Sequence, residues 1–85
     1  MRHMYYVDMD GVLANFEAEP NAVERYQVEK DFFLHLQPIS ENVEAVRHMV
    51  KSGQKVTILT TSPNKQADRA KKEWMRRHLP EVKKI

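Results

Sequence analysis

Apolar residues in this chain recur with two different periods. Tyr5-Tyr6-Val7 and Lys55-Val56-Thr57-Ile58-Leu59-Thr60-Thr61 are runs of aromatic and β-branched side chains, which predict strands over 5–9 and 55–61. The second run is apolar almost throughout, as suits a strand covered on both faces. Between them, Val43, Val46 and Val50 fall on one helical stripe with Met49 beside it. Ser40 is the expected N-cap, Glu41 and Glu44 suit the first turns, and Lys51 and Gly53 mark the end. A further helix is predicted over 65–79, with Ala67, Ala70, Trp74 and His78 or Leu79 facing inward and charges elsewhere, and Pro80 stops it. Pro20 breaks the polar stretch after Phe16, leaving a short helix over 21–26, and Phe32-Phe33-Leu34-His35-Leu36 is dense in apolar side chains. Residues 81–85 are expected to open a third strand.

Strand, crossover helix and strand in this order form a parallel unit, so the fold class is α/β, with two to three strands and flanking helices. Such sheets bind ligands outside the carboxyl ends of their strands. Asp8 and Thr61 both fall there.

Asp8-Met9-Asp10-Gly11 carries the clearest candidate chemistry. Carboxylates at i and i+2 on a strand end point the same way and repel unless a cation or shared proton offsets them. Gly11 permits the sharp turn that follows. The same four residues also suit a plain turn after a strand.

Asp8-Met9-Asp10-Gly11-Val12-Leu13-Ala14 resembles the first motif of the haloacid dehalogenase (HAD) superfamily, and the run through Asn15-Phe16-Glu17 resembles its 5'(3')-deoxyribonucleotidase (5'-nucleotidase type C) branch, with Asn15 where that branch usually has Asp. Thr61-Ser62-Pro63-Asn64 resembles the second motif in the form found in that branch, and Phe32 to Ile39 resembles the segment that closes its helical cap. The resemblance implies a truncated Rossmann-like, HAD-like sheet spanning 1–85, with a much reduced cap at about 17–38. It implies a Mg²⁺-dependent phosphatase acting on nucleoside monophosphates. Asp8 would be the nucleophile that becomes an aspartyl-phosphate, and Asp10 the general acid and base. Mg²⁺ would sit against the Asp8 carboxylate and the Asp10 backbone carbonyl. Thr61 would give its hydroxyl and Ser62 its backbone N–H to the phosphoryl oxygens, and Phe16 would line the pocket beside the base. Helix capping by Thr61-Ser62 and core packing by Phe16 are the plainer alternatives.

Two later motifs of the family, a lysine and an acidic pair, are not found; Lys65, Lys83 and Lys84 are the candidate substitutes for the lysine, none of them in the family's place. Weak turnover is therefore expected, with a non-catalytic phosphate- or nucleotide-binding remnant or assembly module as the alternative. Without later strands, strand one would be an edge with open backbone groups. The expectation is that it pairs with a second copy, or that the chain is a fragment of a longer protein.

Eighty-five residues allow one small domain with a thin core. No cysteine is present, which removes disulfides and thiolate metal sites and fits a cytoplasmic protein. No apolar run approaches the roughly 20 residues of a membrane span, and no signal peptide opens the chain. The net charge of +2 is uneven: residues 1–64 carry six basic and nine acidic side chains, residues 65–85 eight and three. Without interleaved aromatics or glycines, the basic segment reads as a solvated helix face, and nucleic acid is not an expected partner. The four histidines show no metal-ligand spacing.

Overall fold

A computed structural model describes residues 4–29, 31–62 and 64–82. Strand β1 (Met4–Asp8) pairs in parallel with β2 (Lys55–Leu59), Met4 beside Lys55 and Asp8 beside Leu59. Helix α1 (Ala22–Arg25) is a single turn, α2 (Ser40–Lys51) connects the strands, and α3 (Lys65–His78) follows β2. This is a Rossmann-like α/β arrangement of two parallel strands and three helices.

Helix α2 packs on β2. Val43 and Val46 join Val56 and Ile58 in the core, as the valine stripe predicts. Helix α3 packs against a 3-10 turn at Phe33–His35. Trp74 is fully buried, and its Nε1 donates to the Leu36 carbonyl at 2.8 Å, fixing α3 to the return segment. Arg47 of α2 donates to Glu81 at 3.0 Å and also to the His78 carbonyl, joining α2 to the exit of α3.

The two faces of the sheet differ. Val56 and Ile58 are buried under helices, with Val7 on the same side. On the other face Met4 and Tyr6 are each 60% exposed and Leu59 is 47% exposed.

Three sequence-based expectations need correction. Ser40 does not cap α2: it is the first helical residue, and Ile39 takes the N-cap position with no side-chain bond. The reason is that the Ile39 carbonyl accepts from the Asn42 and Val43 N–H groups, each at 3.0 Å, which starts the helix one residue earlier. Strand β1 ends at Asp8, not Met9, because the Met9 carbonyl turns inward to accept from Val12, Leu13 and Ala14. Strand β2 ends at Leu59, two residues before the predicted end, where Thr60 and Thr61 turn toward Lys71. The predicted third strand lies partly outside the described residues; within them, Glu81 and Val82 are not in a strand.

Candidate active site

The turn after β1 is built by the motif's own backbone. Gly11 donates to the Ala14 carbonyl at 2.8 Å and sits at φ +83, where a side chain is strained whatever the space available. Met9 and Leu13, on either side of the turn, are fully buried and anchor it. Asn15 N–H donates to Gln37 and Ile39 N–H to Leu13, so the segment at 37–39 braces the motif from outside the sheet. The result carries Asp10 beyond the strand end, beside Thr60 and Thr61.

Lys71 occupies the middle of the site. Its side chain is 1% exposed, and Nζ donates to Asp10 Oδ2 at 2.8 Å, to Thr60 Oγ1 at 2.9 Å and to the Thr61 carbonyl. The ammonium also lies 4.5 Å from the centre of the Phe33 ring. A buried ammonium is tolerated only when its donors are satisfied, and here all three are. The cation that a pair of neighbouring carboxylates requires is therefore supplied, at least beside Asp10, by the protein itself. Asp10 Oδ1 is buried and has no hydrogen-bond partner among the described residues.

Two cavities meet at this point. One, of about 360 Å³, is lined by Asp10, Thr61, Ser62 and Lys71 on its polar side and by Phe16, Tyr26 and Phe33 on its aromatic side. Phe16 and Phe33 stack at 6.3 Å with their planes 14° apart, and Tyr26 lies 5.6 Å from Phe33. The other, of about 450 Å³, is lined by Asp8, Asp10, Leu59, Thr60 and Thr61. The structure thus brings the five sequence-predicted residues Asp8, Asp10, Phe16, Thr61 and Ser62 to adjoining spaces at the carboxyl end of the sheet. Thr61 meets Lys71 through its carbonyl, and the Ser62 hydroxyl lies 3.5 Å from Asp68 Oδ1. Asn64 caps α3 by accepting from Ala67 N–H at 2.7 Å.

Lys71 is the residue of this site that sequence reasoning did not single out. Of the substitutes sought in the sequence, Lys65 is exposed, and Lys83 and Lys84 lie outside the described residues. A signal was present. Ala67, Ala70, Lys71 and Trp74 share one helical face, so the same stripe that buries Trp74 carries Lys71 inward.

A third cavity, of about 420 Å³, is lined by Glu19, Arg25, Glu29, Asp31, Phe32 and His35. Its Glu19 and Glu29 carboxylates are held by Arg25 at 3.0 and 2.8 Å. Among the described residues, no group of three or more His, Cys, Asp or Glu side chains is placed to hold a metal ion. No helix among them is long and apolar enough to cross a membrane.

A parallel strand pair with polar side chains gathered outside the carboxyl ends of both strands defines a Rossmann-like α/β protein with an end-of-sheet site. Residues 17–85 match the family model described as "5' nucleotidase, deoxy (Pyrimidine), cytosolic type C protein", and the chain belongs to that family, in the HAD superfamily. The match begins after Asp8–Phe16, so the aspartate motif and the family match are separate signals. No curated protein matches the chain.

Proposed function

We propose that this end-of-sheet site takes the phosphoryl group of a nucleoside monophosphate and transfers it through Asp8 to water. The observation that carries the proposal is the composition of the 360 Å³ cavity: carboxylate, hydroxyls and ammonium on one side, three aromatic rings on the other. A nucleotide has the same division between charged phosphate and flat base, and aromatic side chains stack on bases at about 1–3 kcal/mol each. Family membership supports a hydrolase of the nucleotidase type.

In this reading the Asp8 carboxylate attacks phosphorus, the P–O bond to the sugar breaks, and an aspartyl-phosphate forms. Asp10 gives its proton to the departing oxygen and later takes one from the attacking water. The Thr61 hydroxyl and the Ser62 backbone N–H hold the phosphoryl oxygens, and Phe16, with Tyr26 and Phe33, receives the base. The donor set fits a hard divalent cation: the Asp8 carboxylate and the Asp10 backbone carbonyl would hold Mg²⁺, with water and phosphate filling the remaining positions. Once bound, the metal would neutralise phosphoryl charge and screen the two carboxylates from each other. The segment at 17–38 would serve as a small cap over the base.

The test is phosphate release from deoxynucleoside monophosphates with Mg²⁺, comparing the parent with Asp8→Asn. Release by the parent that Asp8→Asn abolishes is the expected result; equal rates in the two would remove Asp8 from the chemistry. A second reading, binding without turnover, is favoured by one observation: all three Lys71 donors are already spent within the protein. Calorimetric binding of a nucleotide with no phosphate release would select it.

A further inference from the structure

We infer that the Thr60 hydroxyl is a third donor to the phosphoryl group, carrying the charge of Lys71 into the cavity beside Asp8. The inference rests on the phosphoryl-transfer reading of this site and adds a residue to it. In that reading Lys71 cannot meet the substrate directly. Its ammonium is buried, and its donors go to Asp10 Oδ2, Thr60 Oγ1 and the Thr61 carbonyl. No N–H is left to give. Its charge reaches a ligand only through a group that accepts from Nζ and still has a proton of its own.

The three acceptors differ in this respect. An ionised carboxylate and a carbonyl only accept, whereas a hydroxyl both accepts and donates. Thr60 Oγ1 takes its bond from Nζ at 2.9 Å, so its own proton turns away from the ammonium. Among the described residues that proton has no acceptor. Thr60 is half-buried and lines the cavity of about 450 Å³ with Asp8, Asp10, Leu59 and Thr61. The hydroxyl and the Asp10 carboxylate share one ammonium, so they lie within two hydrogen-bond lengths of each other.

A phosphoryl group attacked by Asp8 occupies this cavity and supplies the acceptor. A hydroxyl that accepts from a cation is polarised by it and gives a stronger bond in turn. Thr61 stands differently: it is exposed, and its carbonyl, not its hydroxyl, meets Lys71. The two threonines after β2 thereby offer two hydroxyls to one anion, with the cation directly behind Thr60 alone.

Titration calorimetry with thymidine 5'-monophosphate and Mg²⁺ tests this, in chains carrying Asp8→Asn so that the nucleotide is bound and not consumed. Adding Thr60→Val removes the hydroxyl and keeps the shape, and should weaken binding about tenfold, as expected for a lost hydrogen bond to a charged group. Adding Thr60→Ser keeps the hydroxyl and should hold affinity within about twofold. Thr60→Val also takes an acceptor from a buried ammonium, so the comparison is repeated with Lys71→Met added, where no ammonium needs one. A hydroxyl that touches the phosphoryl group should still be worth about threefold there. Far-UV circular dichroism should show each chain folded. Unchanged affinity in Thr60→Val, a Thr60→Ser chain as weak as Thr60→Val, or a loss confined to chains that keep Lys71 would each overturn the role of Thr60 and leave the phosphoryl-transfer reading standing. An Asp8→Asn chain that binds no nucleotide would overturn both.

Discussion

Asp10 and Lys71 are unequal partners, and the inequality predicts what substitutions do. Lys71 is 1% exposed, while the Asp10 side chain is 31% exposed. Asp10→Asn removes the counter-charge from a deeply buried ammonium, a change that costs about 3–5 kcal/mol. Lys71→Met keeps an apolar stem of similar volume in the core and leaves a carboxylate that water can reach, so its cost should be nearer 2 kcal/mol. Chemical denaturation of the two variants should therefore rank Asp10→Asn as the more damaging. The double variant should cost less than the sum, since the buried charge and its partner leave together. A larger loss for Lys71→Met than for Asp10→Asn would contradict the burial argument.

Helix α3 contributes in three ways: Asn64 caps it, Trp74 anchors it and Lys71 reaches the site. Trp74→Phe keeps most of the apolar volume but leaves the Leu36 carbonyl without its donor in the core, a loss of about 1–3 kcal/mol measurable as a lower denaturation midpoint. At the end of the helix, burial and then the neighbouring Arg77 hold the His78 imidazole below its ordinary value of 6.5. The unfolded chain thus takes up this proton first as pH falls. The His78 contribution is complete above 6.5 and is lost as pH falls from there through the depressed folded value. Melting temperature should decline across that window in the parent and decline less in His78→Gln. At this scale much was legible in the sequence. Valine and β-branched periodicity placed α2, β1 and β2 within two residues of their ends, because burial on one face dictates that spacing. The short segment Asp10–Ala14 was harder to read. Its shape depends on the Met9 carbonyl accepting three N–H groups and on bracing from residues 37–39, contacts that no local pattern encodes. Lys71 was passed over for a related reason: lysine is usually solvated, and only its partners at 60, 61 and 10 explain its burial.

For the molecule as a whole, a domain of this size has a folding free energy of only about 4–13 kcal/mol, so ligands should register clearly in its stability. A phosphate or nucleotide held at the end of the sheet binds only the folded chain. At a concentration near 100 times its dissociation constant it should add about 2.7 kcal/mol, visible as a rise in melting temperature. Inorganic phosphate should produce part of that rise, and a deoxynucleoside monophosphate more, because the aromatic side of the cavity is then filled as well. Equal shifts for the two ligands would mean that Phe16, Tyr26 and Phe33 contribute packing alone.

The three bonds of the Lys71 ammonium reach the turn after β1 and the chain leaving β2, and its stem belongs to the middle of α3. One side chain thereby couples stretches separated by as much as 61 positions along the chain. Amide hydrogens in those stretches should consequently exchange with deuterium through one shared opening event rather than by independent fraying, so that the region behaves as a single cooperative unit.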